Sequence, residues 1–135
     1  MEYAVKGRYW FHGRENTQVG IFEIEDGNIE GFILDPAPES PPRHKVKGKV
    51  IQQDGKIILD FVKRPIGTLM LDIFYRLEKQ KKDGKLDGRY EGYWLFKEEG
   101  VQIGIGYKPG IGEVVMVAPE KERENKAYLT LDSKI

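Results

Sequence analysis

The amino-acid sequence predicts an all-β fold: an antiparallel up-and-down β-barrel of about eight to ten strands that takes up residues 1–135 as a single domain. Three observations predict it. Apolar and polar side chains alternate with a period of two, Asp-Gly pairs recur between the alternating runs, and glycines lie inside the runs. A two-sheet β-sandwich is the alternative arrangement of the same strands.

The alternation is clearest in two segments. The run "HKVKGKVIQ" places valines on one face and lysines on the other, and "TLMLDIFYRLEKQ" places Leu71, Ile73 and Tyr75 on a common face. No window of similar length has the i, i+3, i+4 spacing of a packed helix. After residue 118 a helical candidate lacks an apolar stripe, so we expect a loop there and then a short strand over 127–131.

Asp-Gly pairs begin at Asp26, Asp54 and Asp83, and a looser turn lies near Gly110. Asp-Gly favours positive φ at both central positions of a type I′ turn, which suits a tight hairpin. In an up-and-down meander, successive connections alternate between the two ends. The Asp-Gly turns are therefore expected at one end, the turn end, and the longer proline-rich or charged connections at the other, the loop end.

Glycines inside the predicted strands favour a closed sheet. Each costs roughly 0.5–1 kcal/mol relative to alanine, so a flat sheet gains nothing from them. A coiled or closed sheet needs glycine at bends and where inward side chains would collide, and closure also removes exposed edges. The glycines in question are Gly7, Gly20, Gly31, Gly48, Gly88, Gly92 and Gly104.

An internal repeat is also indicated. "YWFHGRENTQVGI" from Tyr9 aligns without gaps to "YWLFKEEGVQIGI" from Tyr93, matching Tyr, Trp, Glu, Gln, Gly and Ile. Duplicated meander units are a plausible way to build a closed sheet. The alignment pairs Trp10 with Trp94, although alternation places Trp10 on the outer face, and a bulge near Gly92 would reconcile the two.

Composition restricts the partners. Lys plus Arg and Asp plus Glu each number 22, so the formal net charge is zero, which argues against a nucleic-acid binder. There is no cysteine. The sequence shows no secretory leader and no apolar run long enough to span a membrane, so we expect a soluble, cytoplasmic protein without a membrane partner.

The segment "KGRYWFHGRENTQVGIFEIEDGNIEGFI" resembles the opening of calycin-type barrels, the avidin, lipocalin and fatty-acid-binding group. The resemblance is carried by Gly7, Tyr9, Trp10, Asp26, Gly27 and Gly31. It implies the barrel, but not biotin or a fatty acid as ligand. Avidins bring several tryptophans to biotin whereas this chain has two, and the helix pair of fatty-acid-binding proteins has no counterpart here.

The leading functional hypothesis is noncatalytic binding of a small, largely apolar molecule in a barrel lumen that opens at the loop end. A solid core is the alternative interpretation of the same side chains. By alternation, the inward residues are Val5, Tyr9, Phe11, Val19, Ile21, Val46, Val50, Leu59, Phe61, Leu71, Ile73, Tyr75, Tyr90, Trp94, Ile103 and Ile105. The candidate ligand-binding residues are an aromatic wall and a polar mouth: Tyr9, Phe11, Tyr75, Tyr90 and Trp94, with His12, His44 and Arg64.

A second hypothesis is a small barrel enzyme, an isomerase, cyclase or hydrolase, that uses His12 or His44 for proton transfer. No catalytic triad, phosphate-binding glycine loop or zinc-ligand spacing is present, so the sequence predicts no cofactor and no metal. Asp60 and Asp72 are expected to point outward and to pair across strands with Lys49 or Arg76.

A third hypothesis is a homo-oligomeric interaction module with a filled core, such as a homodimer. It would bury outward apolar side chains against a second copy. The outward candidates are Phe22, Ile24, Phe32, Ile58, Val62 and Phe74.

Overall fold

A computed structural model describes residues 1–11, 13–35, 43–67, 72–97, 105–108, 112–115 and 125–134. Within these residues every regular element is a β-strand. Eight strands form one closed antiparallel barrel, and two short ones form a separate sheet. The barrel strands are β1 (Glu2–Phe11), β2 (Arg14–Glu25), β3 (Asn28–Leu34), β4 (Arg43–Gln53), β5 (Lys56–Pro65), β6 (Asp72–Lys79), β7 (Gly88–Lys97) and β10 (Lys126–Ser133); the separate pair is β8 (Ile105–Lys108) and β9 (Gly112–Val115).

The predicted barrel is therefore confirmed in preference to a sandwich. Each of β1 to β6 pairs antiparallel with the next strand, and β10 pairs with both β7 and β1. The closing register runs from Tyr3 opposite Ser133 to Tyr9 opposite Ala127. The predicted C-terminal strand is present and is longer than expected. Placing Ile105 in the barrel wall was wrong, because in the described part of the chain its strand pairs with β9 in a separate sheet.

Two of the three Asp-Gly turns are tight hairpins. Asp26 and Asp54 both have φ of 52°, and the glycines that follow them are also at positive φ. Asp83 does not share this conformation, so predicting a third tight hairpin there was wrong. Residues 80–87 instead form a longer connection, in which the Asp83 carboxylate accepts hydrogen bonds from the Lys79 ammonium and from the Lys85 backbone N–H.

The turn end also holds both chain termini, as the topology requires. The backbone N–H of Ile24 donates to the Met1 carbonyl over 2.9 Å, and the N–H of Lys134 donates to the Glu2 carbonyl over 2.9 Å. The N–H of Ser133 donates to the carboxylate of Asp87 over 2.6 Å. The first and last strands are thereby tied to their neighbours where the barrel closes.

Two glycines within strands, Gly48 and Gly92, show why the barrel requires glycine at certain strand positions. A Cβ added at Gly48 would lie 2.2 Å from the backbone oxygen of Asp60, and one added at Gly92 would lie 2.0 Å from that of Arg76. No side chain fits at either distance. Glycine at these positions lets the backbones of neighbouring strands approach on the inner face, as predicted for a strongly coiled sheet.

Apolar side chains fill the middle and the turn-end half of the interior. Phe61 lies at the centre of the described core, with its ring centroid 5.3 Å from that of Phe22 and stacked at 4.9 Å on Tyr75. Toward the turn end the core continues through further fully buried side chains, namely Ile29, Leu59, Leu77, Tyr90, Leu129 and Leu131. In this half, the solid-core interpretation holds.

Most inward predictions are confirmed by burial. Buried residues include Val5, Tyr9, Val46, Leu59, Phe61, Tyr75, Tyr90 and Trp94, and the partly buried Phe11, Val50 and Ile73 pack against them. Leu71 and Ile103 lie outside the described residues.

The orientation predicted for β2 was wrong. Val19 and Ile21 are exposed, whereas Phe22 and Ile24 are buried. The strand is apolar on both faces, so a period of two cannot choose between them. The ring of Phe22 packs against Phe61 from the facing wall, and that contact sets the face. Of the other outward candidates, Phe32 is exposed and the remaining three, Ile58, Val62 and Phe74, are partly exposed.

The internal repeat gains no support from side-chain orientation. Tyr9 and Trp94 face inward, whereas their aligned partners Tyr93 and Trp10 are on the outer face. In the described strands the register of β7 runs without interruption past Gly92 on both sides, so the bulge that would have reconciled the repeat is absent. The duplication stays a prediction.

Candidate functional site

Four polar side chains are buried inside the barrel near the loop end. Gln18 comes from β2, Asp35 follows β3, His44 lies near the start of β4, and Lys63 lies near the end of β5. Each has a relative exposure of 1% or less. We call these four residues the lumen cluster. Their position follows from alternation. Gln18, His44 and Lys63 are each an even number of residues from a buried apolar side chain on the same strand, and Asp35 follows the buried Ile33 by two residues.

Lys63 is the centre of the lumen cluster. Its Nζ donates a hydrogen bond to Gln18 Oε1 over 3.2 Å and lies 3.6 Å from Asp35 Oδ2. The same ammonium lies 4.6 Å from the ring centroid of Tyr9 and 5.1 Å from that of Tyr75, within cation–π range. The hydroxyl of Tyr9 donates to the Asp35 carboxylate, and that of Tyr75 donates to Gln18 Oε1 over 3.4 Å.

Burial changes the ionisation of the lumen cluster. It lowers the pKa of Lys63 from 10.5 to about 8, against the opposing effects of the Asp35 charge and hydrogen bond. The pKa of His44 falls from 6.5 to about 4, because burial and the nearby Lys63 charge outweigh Asp35 and a hydrogen bond with the Ile33 backbone. His44 is therefore neutral at pH 7. Burial also raises the pKa of Tyr75 well above 10.

Two buried polar atoms of the lumen cluster have no hydrogen-bond partner in the described part of the chain, Gln18 Nε2 and His44 Nδ1. The amide orientation of Gln18 follows from its neighbour, since an ammonium only donates and must therefore face Oε1. A buried polar atom left unpaired costs about 1–3 kcal/mol. The lumen cluster thus offers a donor and a ring nitrogen that contacts within the described residues do not use.

Aromatic rings border the lumen cluster. Trp94 packs edge-on against Tyr9 at 6.0 Å between centroids and lies 5.4 Å from Phe11. Its indole N–H donates to the Trp10 carbonyl over 3.0 Å, which fixes the ring. Phe11 lies one inward position closer to the loop end than Tyr9 and is only half-buried. The described loop-end interior therefore combines aromatic walls with a polar cluster.

The structure brings together part of the predicted site. Tyr9 and Tyr75 lie against the Lys63 ammonium, Trp94 packs against Tyr9, and Phe11 packs against Trp94. Tyr90 does not belong with them, because it lies at the turn end with its hydroxyl donating to the Leu86 carbonyl over 2.7 Å.

The predicted polar mouth is only partly described. His44 is buried in the lumen cluster and not at a solvated mouth. Arg64 points outward, where its guanidinium donates two hydrogen bonds to Asp72 over 2.9 and 2.8 Å. His12 lies outside the described residues. The cross-strand prediction holds for Asp60, whose carboxylate accepts from Arg76 over 3.5 Å.

Sequence reasoning missed Lys63, Asp35 and Gln18. The alternation that placed Leu59 and Phe61 inward continues to Lys63, so the signal was present. Lysine, aspartate and glutamine are normally on the surface, and this expectation overrode the alternation. The pairing of Lys63 with Asp35 has no sequence signature, since the two residues meet only when the barrel closes.

A second feature lies on the outer face of β2 and β3. Four large apolar side chains form two cross-strand pairs, Val19 with Leu34 and Ile21 with Phe32. Their relative exposures are 46%, 47%, 43% and 56% in that order. We call these four residues the β2–β3 patch.

No protein-family model matches this chain, and no curated protein or solved structure gives a significant match. A relationship to calycin-type barrels therefore stays a prediction. Among the described residues, no group of three or more His, Cys, Asp or Glu side chains is placed to hold a metal ion. In the same part of the chain, no helix is long and apolar enough to cross a membrane.

Proposed function

We propose that this protein binds a small, largely apolar molecule in the loop-end half of the barrel lumen, without catalysis. The observation that carries the proposal is the lumen cluster, with its buried ion pair and its unpaired atoms on Gln18 and His44. A barrel interior that served stability alone would be filled with apolar side chains, because replacing a buried ion pair by packed apolar groups is often neutral or stabilising. A buried polar group without a partner calls for an explanation, and a bound molecule would supply the missing partner.

The charges of the lumen cluster indicate which kind of chemical group on the ligand the cluster would contact. The ammonium of Lys63 is already matched by the carboxylate of Asp35, so the cluster has no surplus charge for an anion. Gln18 Nε2 has donors free for an acceptor such as a carbonyl oxygen. An uncharged polar end group fits here, and the rings of Tyr9, Phe11 and Trp94 suit an apolar body.

The test is ligand binding by a Gln18→Met variant. Losing the hydrogen bond from Nε2 is expected to weaken binding of an apolar carbonyl compound about tenfold, equivalent to about 1.4 kcal/mol. Native mass spectrometry of protein purified from its own source identifies any bound molecule, and quenching of tryptophan fluorescence measures affinity. Gln53→Met, on the surface at the turn end, is the matched control. Protein that binds no apolar molecule, or equal affinity for Gln18→Met and wild type, contradicts the proposal.

The β2–β3 patch supports a second candidate function, self-association into a homodimer. The patch is bordered toward the turn end by Glu23 and Glu30, and its loop-end pair is flanked by Lys6 and Arg43. A two-fold axis across the strands would run the strands of two copies antiparallel. That arrangement places the acidic margin of one copy near the basic margin of the other, with the apolar pairs between them.

Self-association predicts that Phe32→Glu converts a dimer into a monomer, because the substitution places a charge at the centre of the buried surface. Light scattering at several protein concentrations measures the mass. Phe74→Glu, on the outer face of β6, is the matched control and is expected to leave the dimer intact. A wild-type monomer at all concentrations, or a Phe32→Glu dimer, would rule out this interface.

A further inference from the structure

Among the described residues, two lysines are buried inside the barrel, Lys63 and Lys79, and their surroundings differ. At the turn end, the Lys79 ammonium donates to the Asp83 carboxylate and to the Lys85 carbonyl. Lys63 has a weaker set of partners: one amide oxygen at 3.2 Å, a carboxylate oxygen at 3.6 Å and two aromatic ring faces. Lys79 is thus held in a close ion pair. The Lys63 amine has a more distant carboxylate and lies between two aromatic rings.

An amine attacks a carbonyl carbon only in its neutral form, which burial favours. Because burial lowers the pKa of Lys63 to about 8, about a tenth of the molecules carry a neutral amine there at pH 7. An ordinary exposed lysine is neutral in less than about a thousandth of molecules at that pH. Lys63 therefore combines a reactive form with a position in the proposed ligand site.

We propose that Lys63 anchors the ligand covalently: its amine condenses reversibly with an aldehyde group on the bound apolar molecule to form an imine. This inference rests on the proposed function and names the chemical class of the ligand. The amide of Gln18 supports it, because Oε1 accepts from Lys63 and Nε2 of the same amide has no partner among the described residues. A ligand carbonyl oxygen that accepts from Nε2 would be held by the same side chain that holds Nζ.

The reaction balances with groups already in the site. The Nζ lone pair forms a bond to the carbonyl carbon, and the C=O π pair moves to oxygen. Transfer of one proton from nitrogen to that oxygen gives a carbinolamine. Loss of the hydroxyl, with the second nitrogen proton, releases one water and leaves C=N. Nothing is oxidised or reduced.

Asp35 is placed to move these protons. Its Oδ2 lies 3.6 Å from Nζ, so it can take a proton from the ammonium and return it to the departing hydroxyl. Its carboxylate also accepts the hydroxyl hydrogen of Tyr9. When the imine is protonated, Asp35 remains as its counter-ion, and the rings of Tyr9 and Tyr75 stabilise the cation as they do the ammonium.

The experiment uses the full chain with hexanal, octanal and decanal, and with the matching alcohols. Each aldehyde is added at one equivalent with sodium cyanoborohydride, which reduces an imine to a stable secondary amine. Peptide mapping by mass spectrometry then locates the adduct. We expect one adduct per chain, with Lys63 labelled at least tenfold more than any other lysine, including the buried control Lys79. Because the adduct is mapped on the wild-type protein, this measurement does not depend on the folding of any variant.

Lys63→Arg keeps a positive charge beside Asp35 but has no nucleophilic amine, and it is expected to lose the adduct. Lys79→Arg is expected to keep the adduct. If the alcohols bind and quench tryptophan fluorescence but the label is absent from Lys63 or spread over the exposed lysines, the imine is wrong and the proposed function stands. If neither the aldehydes nor the alcohols bind, both are wrong.

Discussion

At the scale of single residues, His44 couples folding to pH. The ring is buried beside the charge of Lys63, so protonation is unfavourable in the folded protein and its pKa falls to about 4. In the unfolded chain the same group has an ordinary pKa of 6.5. Between these values the unfolded state binds more protons than the folded state, so stability decreases as pH falls from 6.5 to 4.

We predict that His44 contributes a loss of about 2–3 kcal/mol in the free energy of unfolding across this range. His44→Leu removes the titrating group, so the variant should lose correspondingly less stability between pH 6.5 and 4. Urea unfolding at both pH values measures the difference, and comparison of the two proteins cancels the contribution of the carboxylates. Parallel pH dependences for wild type and variant would contradict the burial of a neutral His44.

The residue scale also shows the limit of alternation. It placed Tyr9, Tyr75 and Trp94 inside correctly, because large apolar side chains rarely face solvent in a row. It missed Lys63, since a lysine on the core face contradicts its usual location. Extending the alternation of Leu59 and Phe61 by one step would have found it.

At the scale of the strands, glycine has two separate roles that a substitution can distinguish. Gly48 lies in β4 opposite Phe61, where a Cβ would meet backbone atoms at 2.2–2.4 Å. Gly55 lies in a hairpin at φ of +77°, with nothing within 4 Å of the added Cβ. The first glycine is required by close approach and the second by backbone conformation.

We predict that Gly48→Ala destabilises the barrel more than Gly55→Ala does. The first forces two strands apart, at about 2–3 kcal/mol or more, whereas the second costs only left-handed strain of about 1 kcal/mol. Thermal and urea unfolding of both variants give the comparison. An equal loss of stability in the two variants would mean that the close approach of β4 and β5 at Gly48 costs no more to disturb than the turn at Gly55.

The sequence predicted the strands more reliably than it predicted the turn at Asp83, the third Asp-Gly pair. Asp26 and Asp54 make the predicted hairpins because no other partner competes for their carboxylates in the described structure. Asp83 has the same dipeptide but binds the buried Lys79, and this contact replaces the tight turn with a longer connection. Local turn preference was overridden by a contact that depends on the folded barrel.

At the scale of the whole molecule, closure depends on the last strand. β10 pairs with β7 on one side and β1 on the other, and it contributes the buried Leu129 and Leu131 to the core. Without it, the edges of β1 and β7 would both be unpaired, and such edges associate with other chains.

A chain that lacks residues 125–135 is therefore expected to lose cooperative unfolding and to aggregate. Circular dichroism during heating and size-exclusion chromatography measure the two effects. A chain that lacks only residues 134–135 is the control and should unfold cooperatively, because the pairing of β10 remains. A soluble monomer with an unchanged transition after the longer truncation would show that closure is dispensable.

The sequence by itself determined the antiparallel up-and-down barrel, the tight turns at Asp26 and Asp54, and the shared position of the Asp-Gly connections at one end. These properties depend on residues close together in the chain. Only the tertiary structure decided which face of β2 is buried and that Lys63 meets Asp35 and Gln18 inside the lumen. Those outcomes depend on contacts across the closed barrel, between residues that no local pattern connects.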